Sequence, residues 1–204
     1  LQFEGLRRMN QENLINLFTD SYLRGKYTNF AYSTMSASVN AAFALESLSR
    51  NASRCVSFAY GSFDTHFTNY RNQALLQQNL FDLLAIMLDY LDQIPHPTKS
   101  ADKLSDHTHI LVVSDFCRTP NINAAQGRDH YPNNSSLIIS PKFKGNMSFG
   151  SSDPEQLLSL PAKTFSDGQR PVSPADVLAT FVSAHGVDPR KYLRDGEVLT
   201  EILR

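Results

Sequence analysis

The sequence is poor in cysteine and has no excess of either charge. Its two cysteines, Cys55 and Cys117, form neither a CxxC pair nor the framework of a disulfide-rich protein. Each lies in or beside an apolar run, where a buried free thiol is common, although a disulfide between them is also compatible with the sequence. With 19 basic and 20 acidic residues the formal net charge is −1, which argues against a general nucleic-acid-binding protein.

The chain also lacks an apolar run of the ~20 residues that a membrane-spanning helix needs. The most apolar stretch, residues 80–91, is interrupted by Asp82 and Asp89 and is typical of a buried helix. No signal peptide is visible, and the chain starts at Leu1 in a helical pattern, without a methionine or a strand. We therefore expect a fragment that lacks an N-terminal segment of the same protein.

What is present suits a folded α/β protein. A chain of 204 residues with 41% hydrophobic residues is long enough for one sizeable domain or part of a larger one. Residues 10–23 and 33–48 have helical patterns without a chemical motif. We expect residues 1–50 to form a helical packing or cap segment, and residues 51–204 to form the C-terminal part of an α/β domain.

Residues 51–204 contain three strand-like runs, at residues 54–60, 109–113 and 136–140. The run 109–113 is continuously apolar, as in strands buried on both faces of a parallel sheet. A long amphipathic helix is predicted over residues 69–91, and a further helix, with Pro174 in its first turn, begins after Ser173. Strand, helix and strand together predict a right-handed βαβ unit in a mostly parallel sheet flanked by helices.

Carboxylates follow two of the three predicted strands. In an open parallel sheet, functional groups gather beyond the carboxyl ends of the strands. Asp64 and His66 follow the first strand, and Asp115 follows the second. His130 precedes the third strand and can reach the same edge through its loop. Carboxylate oxygen and imidazole nitrogen suit a divalent ion such as zinc or manganese, so this edge is a candidate metal site.

The spacing of Asp64 and His66 alone favours an ordinary structural interpretation, because Asp-x-His is a weak pattern. In that interpretation Asp64 and Thr65 cap the following helix while His66 packs against it.

Asp115 and the pair Asp129–His130 also have structural alternatives. A charge directly after a buried strand is costly unless it is paired, so Asp115 could form a salt bridge with Arg118 or Arg128. Asp129 and His130 could be ordinary loop residues. The two arginines are in turn candidates for holding an anionic substrate group, because guanidinium matches phosphate and sulfate oxygens. Their alternative role is to neutralise the neighbouring carboxylates.

Four segments carry a resemblance to a known family. Residues 114–132, SDFCRTPNINAAQGRDHYP, closely resemble the phrase S-E-F-G-R-T-P-x-x-N…G-R-D-H-W-P of the bacterial family numbered 1501 among domains of unknown function. Residues 61–66, GSFDTH, are similar to its G-W-D-T-H. Residues 171–180, PVSPADVLAT, and 186–189, GVDP, resemble its P-V-T-P-A-D-L-x-A-T and G-I-D-P. The resemblance covers roughly residues 60–189 in the right order.

The resemblance implies a fold and a chemistry. The family is placed in the alkaline phosphatase and sulfatase superfamily, which implies an α/β fold of that kind and a divalent metal, zinc or manganese, acting on a small anionic ester. It implies that Asp64, His66 and His130 form one metal site, with Asp129 next to it. Asp115 would belong to a second metal site. It also implies a periplasmic or secreted location.

The sequence departs from the superfamily pattern at the second metal site. Phe116 stands where a histidine ligand is expected. The resemblance also implies that the nucleophile lies in an N-terminal segment outside this chain. Asp115, Cys117 and Phe63 replace the usual Glu, Gly and Trp of the family.

Three functions therefore stay open at this point. The first is hydrolysis of phosphate or sulfate esters, in which case we expect this fragment alone to be inactive. Alternatively, the protein is a non-catalytic binding or assembly protein that retains the fold, or it carries a purely structural metal.

Overall fold

The computed structural model describes residue 7, residues 18–32 and residues 36–204, and the chain divides into two compact units. The first unit is Leu1–Thr108 and the second is His109–Arg204. Most of the helix predicted over residues 10–23 lies outside the described residues. In the part of the chain that is described, no helix is long and apolar enough to cross a lipid bilayer.

The first unit is built mainly from helices. They are α1 (Asp20–Lys26), α2 (Ser36–Ser49) and α3 (Asn69–Gln93). The helices predicted over residues 33–48 and 69–91 are thereby confirmed. Apolar side chains from these helices and their connections form a buried core: Leu23, Tyr27, Phe30, Ala41, Leu45, Leu83, Leu84, Met87, Leu91 and Leu104.

The bounds of α3 follow from its flanking residues. Its N-cap is Thr68, whose backbone has a left-handed φ of 45°. The helix ends at Gln93, and Ile94 is extended with a ψ of 125°. Pro95 follows Ile94, and a proline disfavours the helical conformation of the residue before it. The chain then forms an antiparallel hairpin of β1 (Pro95–His96) and β2 (Lys99–Lys103).

The second unit consists of three antiparallel strand pairs, one helix and short 3-10 turns. The pairs are β3 (Ile110–Val112) with β6 (Leu137–Ile139), β4 (Cys117–Arg118) with β5 (His130–Tyr131), and β7 (Lys163–Phe165) with β8 (Gly168–Arg170). The helix is α4 (Pro174–Ala184). The buried apolar side chains of the second unit include Phe143, Phe165, Ala179 and Leu199.

The start of α4 confirms the prediction made from its sequence. Ser173 is the N-cap, and its Oγ accepts a hydrogen bond from the Asp176 N–H at 3.2 Å. The Asp176 carboxylate accepts in return from the Ser173 N–H at 2.8 Å. This reciprocal arrangement is a capping box, and Pro174 occupies the first turn, where its missing N–H costs nothing.

The predicted parallel sheet and its βαβ unit are wrong. Within the described residues every sheet is a two-stranded antiparallel pair. β3 and β6 correspond to two of the predicted strands, but they pair with each other in opposite directions, with Val112 facing Leu137. A continuous apolar run shows that a strand is at least half-buried; it carries no information on the direction of its partner.

The first predicted strand, residues 54–60, does not form. The Ser53 hydroxyl donates to the Cys55 carbonyl at 2.6 Å and accepts from the Cys55 N–H at 3.2 Å. A side chain thus occupies backbone groups that a strand would use in its ladder. Cys55 is exposed and Cys117 is half-buried, and both thiols are free. The expectation of a buried thiol is therefore wrong for Cys55.

Candidate metal centre

The loop before α3 brings Asp64 and His66 together. The Asp64 Oδ1 lies 3.0 Å from the His66 Nε2. The side chains are 57% and 34% exposed respectively, so both reach the surface of the first unit. Both side chains are therefore partly accessible to solvent.

The residue between the two candidate ligands anchors this loop. Thr65 is buried, and its Oγ1 accepts from the Asn69 Nδ2 at 2.7 Å and from the Gln73 Nε2 at 2.8 Å. The Gln73 amide also donates to the Phe63 carbonyl at 3.0 Å. These bonds tie the loop to the first two turns of α3. Sequence reasoning missed Asn69 and Gln73, although their spacing of four residues places both on one helix face.

The structure does not show the capping role considered for Asp64. The N-cap of α3 is Thr68, and no side chain makes a cap hydrogen bond there. The Thr65 hydroxyl accepts from the side-chain amides of Asn69 and Gln73, and not from the free backbone N–H groups at the start of α3. Asp64 is therefore not the N-cap of α3, and its carboxylate faces an imidazole.

The separation of the two atoms suits a shared ion. Zinc binds imidazole nitrogen and carboxylate oxygen at about 2.0–2.2 Å, which places two tetrahedral ligands about 3.4 Å apart. The observed 3.0 Å is close to that separation, so only a small widening is needed. Since zinc sites use three or four protein ligands, this pair alone would supply only part of a zinc site.

In the second unit, Asp115 lies on an exposed turn. Its Oδ1 accepts from the Phe116 N–H at 3.1 Å. The Ser114 hydroxyl donates to the Phe116 carbonyl at 2.7 Å. Among the described residues, Asp115 forms no ion pair with Arg118 or Arg128, contrary to the structural alternative for this residue.

His130 begins β5 and is exposed beside an aromatic ring. It pairs with Arg118 across the two-stranded sheet of β4 and β5. The Phe116 ring stacks on the His130 imidazole, with ring centroids 4.0 Å apart and an angle of 30° between the planes. Phe116, at the position expected for a second-site histidine, thus packs against a candidate ligand of the first site.

The two candidate substrate-binding arginines brace the connection between β4 and β5. The Arg118 Nη1 donates to the Arg128 carbonyl at 3.1 Å, and the Arg128 Nη1 donates to the Thr119 carbonyl at 2.8 Å. Both side chains belong to half-buried residues. These bonds hold both guanidinium groups against the backbone of the connection.

Asn123 organises the same connection, and sequence reasoning missed it. Its Oδ1 accepts from the Ala125 N–H at 3.0 Å and the Gly127 N–H at 2.9 Å. Its Nδ2 donates to the Asp129 Oδ1 at 3.1 Å. The Asp129 carboxylate is therefore oriented from inside its own loop. An asparagine shortly after a proline in a polar stretch is the signal that could have indicated this turn.

Comparison with known proteins identifies a family and nothing closer. No curated protein and no solved structure matches the chain. A family model described as "Protein of unknown function (DUF1501)" matches residues 19–197, a range that contains all the candidate site residues. Because this match covers most of the chain, the protein belongs to the DUF1501 family.

Proposed function

We propose that the protein binds a divalent metal ion, zinc or manganese, and hydrolyses phosphate or sulfate esters with it. The observation that carries the proposal is the exposed Asp64–His66 pair, with 3.0 Å between oxygen and nitrogen, inside a segment that resembles a family motif. His130, with Asp129 next to it, is the further ligand that the resemblance implies. Asp115 is proposed for a second ion on the same basis.

The donor set supports a metal of this class. Mixed carboxylate and imidazole ligands suit zinc and manganese, whereas an all-oxygen set would suit magnesium or calcium. A bound ion would polarise an ester oxygen and stabilise developing negative charge. The guanidinium groups of Arg118 and Arg128, braced by their loop, are proposed to hold the anionic group of the substrate.

The alternative is a non-catalytic binding or assembly protein, and one observation favours it. Phe116 replaces a ligand expected for a second metal, and its ring is used in stacking on His130. A protein with one metal site can bind an anion without the second ion that assists displacement in two-metal enzymes. Metal content without turnover would be its signature.

The first test is the metal content of the purified full-length protein, measured by elemental analysis before and after treatment with a chelator. We expect at least one zinc or manganese per chain, and loss of the ion of the Asp64–His66 site in Asp64→Asn and His66→Gln. Changing groups that only orient a ligand already weakens metal binding by about 10–100-fold, so removing a ligand should exceed that. A metal-free protein whose stability is unchanged by chelator would sink the proposal.

The first unit offers a matched control for these variants. Asp102 and His107 form a second carboxylate–imidazole pair, with 2.7 Å between Oδ2 and Nε2, at similar exposure. This pair lies outside the family motifs, so Asp102→Asn and His107→Gln should leave the metal content unchanged. Equal loss in both sets of variants would mean adventitious surface binding.

His130→Ala tests the part of the proposal that rests on the resemblance. Loss of metal equal to that in His66→Gln would support His130 as a ligand, and retained metal would remove it from the site. Turnover is then assayed on generic phosphate and sulfate esters with the metal-loaded protein. Bound metal with no hydrolysis of either ester class would favour the non-catalytic alternative.

A further inference from the structure

A pocket of about 500 Å³ in the first unit shares no residue with the Asp64–His66 pair. It lies between the C-terminal ends of α1 and α2 and the hairpin of β1 and β2. Its volume is within the range of about 300–1,000 Å³ typical of small-molecule sites. Seven of the residues that line it carry polar or cationic side chains: Lys26, Ser49, Arg50, Asn51, His96, Thr98 and Ser100. Among the described residues, no carboxylate lines it.

The two permanent cations of this pocket are held by one buried carboxylate behind it. Glu46 is completely buried, its Oε1 accepts from the Arg50 Nε at 2.6 Å, and its Oε2 accepts from the Lys26 Nζ. Burial acts to raise the pKa of Glu46, but hydrogen bonds from Lys26 and Arg50 outweigh burial and lower the pKa. One negative charge thus faces two positive charges, which leaves the pocket with a surplus cation.

Both cations keep hydrogen-bond donors for a ligand. Arg50 uses its Nε on Glu46 and its Nη2 on the Tyr22 hydroxyl at 3.3 Å, while its Nη1 bonds to no described residue. The Lys26 ammonium has three N–H donors and gives one to Glu46. The two side chains are 35% and 37% exposed, so their remaining donors can reach a molecule in the pocket. Glu46 therefore fixes the position of both groups without saturating them.

His96 lies on the hairpin side of the pocket, near His107 and Lys99. Partial burial, followed by the positive charges of His107 and Lys99, lowers the pKa of His96, and Asp102 opposes this only in part. The Thr98 N–H lies 3.3 Å from the His96 Nδ1. An anion bound nearby would reverse part of this effect and raise the pKa of His96.

We propose that this pocket binds a small molecule through a phosphate or sulfate group. Arg50 and Lys26 would donate to its oxygens from the helical side, and the Ser100 and Thr98 hydroxyls would donate from the hairpin. Guanidinium and ammonium groups fixed beside a cleft are the usual means of holding such oxyanions. The site is separate from the proposed metal centre, and it does not depend on a bound metal.

The test is calorimetric titration of the full chain with inorganic phosphate, inorganic sulfate and phenyl phosphate in the presence of EDTA. EDTA removes any contribution from a metal centre. We expect saturable binding of at least one of the three, with tighter binding of phenyl phosphate if the ligand extends beyond its anionic group. No saturable binding of any of the three would overturn the proposal.

A charge variant on the hairpin keeps the Glu46 network intact. Ser100→Asp adds a carboxylate to the pocket wall, whereas Ala101→Asp adds the same charge at the next exposed position, which does not line the pocket. Binding should weaken at least tenfold in Ser100→Asp and little in Ala101→Asp. Equal weakening in both would show that the anion responds only to net charge, which contradicts a defined site.

A second pair of variants tests the arginine. Arg50→Gln retains an amide that can bond to Glu46 but removes the positive charge, and Arg24→Gln removes an exposed charge of the same unit that pairs with Asp20. Only Arg50→Gln should abolish binding. In NMR titrations of the wild type, phosphate should raise the pKa of His96. An unchanged His96 pKa at saturating phosphate would place the anion elsewhere.

Discussion

Asp176 in the second unit and Asp64 in the first unit both face nitrogen donors, but their surroundings differ. Asp176 is completely buried, and Arg170 donates to its two oxygens at 2.5 and 3.0 Å. The Glu197 N–H donates to it at 2.7 Å, and the Ser173 N–H and hydroxyl donate at 2.8 Å each. Asp64 is 57% exposed.

This difference separates a structural carboxylate from a candidate ligand. A buried charge is tolerated only when its lone pairs are satisfied, and Asp176 joins the end of β8, the start of α4 and the segment at Glu197. An exposed carboxylate contributes little to stability and can exchange its partners. The Asp176 carboxylate therefore stabilises the fold, whereas we propose that the Asp64 carboxylate binds a metal ion.

The largest effect is expected for Asp176→Ala. It removes the buried partner of Arg170 and leaves two backbone N–H groups without their acceptor, and breaking a buried pair typically costs about 3–5 kcal/mol of unfolding free energy. Urea unfolding followed by circular dichroism measures it. Asp167→Ala is the control, because Asp167 bonds to the same arginine at 2.9 Å but is 63% exposed. Similar losses of unfolding free energy in the two variants would mean that the buried carboxylate is no more important for stability than the exposed one.

A smaller loss of unfolding free energy is expected for Gly196→Ala. Gly196 precedes Glu197, whose N–H donates to Asp176. Gly196 has a φ of +103°, and an added Cβ would lie 2.3 Å from the Ala175 carbonyl oxygen. The strained backbone and the displaced chain should cost about 2–3 kcal/mol, measured in the same urea experiment. Gly145→Ala, where nothing lies within 4 Å and φ is not positive, should be tolerated. A stable Gly196→Ala variant would contradict the close approach of this segment to α4.

The pH dependence of stability should also report on Asp176. Burial acts to raise its pKa, but hydrogen bonds, first that from Arg170, outweigh burial and hold the pKa well below its ordinary value of 3.8. A depressed pKa stabilises the folded state above the ordinary value, and this contribution is lost as the pH falls below it. Urea midpoints from pH 7 to pH 3 should therefore fall less steeply in Asp176→Asn than in the wild type. Parallel curves would refute this assignment.

The smallest effect on stability is expected for Asp64→Asn in the presence of chelator. Because the carboxylate is exposed, the unfolding free energy should stay within about 0.5 kcal/mol of the wild type. Saturating zinc or manganese should then stabilise the wild type, by about 2.7 kcal/mol at 100 times the dissociation constant, and not the variant. A large loss of stability without metal would mean that Asp64 is a structural residue like Asp176.

Helices and caps of this protein were predictable, because their signals are local. The sequence around Ser173, Pro174 and Asp176 indicated a capped helix, and α4 begins there with the expected reciprocal bonds. The long helix predicted over residues 69–91 is α3, which begins at Asn69 and ends at Gln93, two residues before Pro95. In each case neighbours within a few residues supply the hydrogen bonds or the steric restriction.

The candidate site was predictable in its residues but not in its supports. Motif similarity selected Asp64 and His66, and the structure places their oxygen and nitrogen 3.0 Å apart. The bonds from Asn69 and Gln73 to the buried Thr65, and the stacking of Phe116 on His130, depend on side-chain packing. Nothing in a pattern of residue types specifies those contacts.

The sequence by itself determined the family, the main helices and the identity of the candidate ligands. Only the tertiary structure decided how the strands pair and which charges are buried. β3 and β6 pair antiparallel although their apolar runs suggested a parallel sheet, because pairing direction depends on residues distant in the chain. Likewise, Asp64 and Asp176 are the same residue type, and their burial in the folded chain distinguishes them.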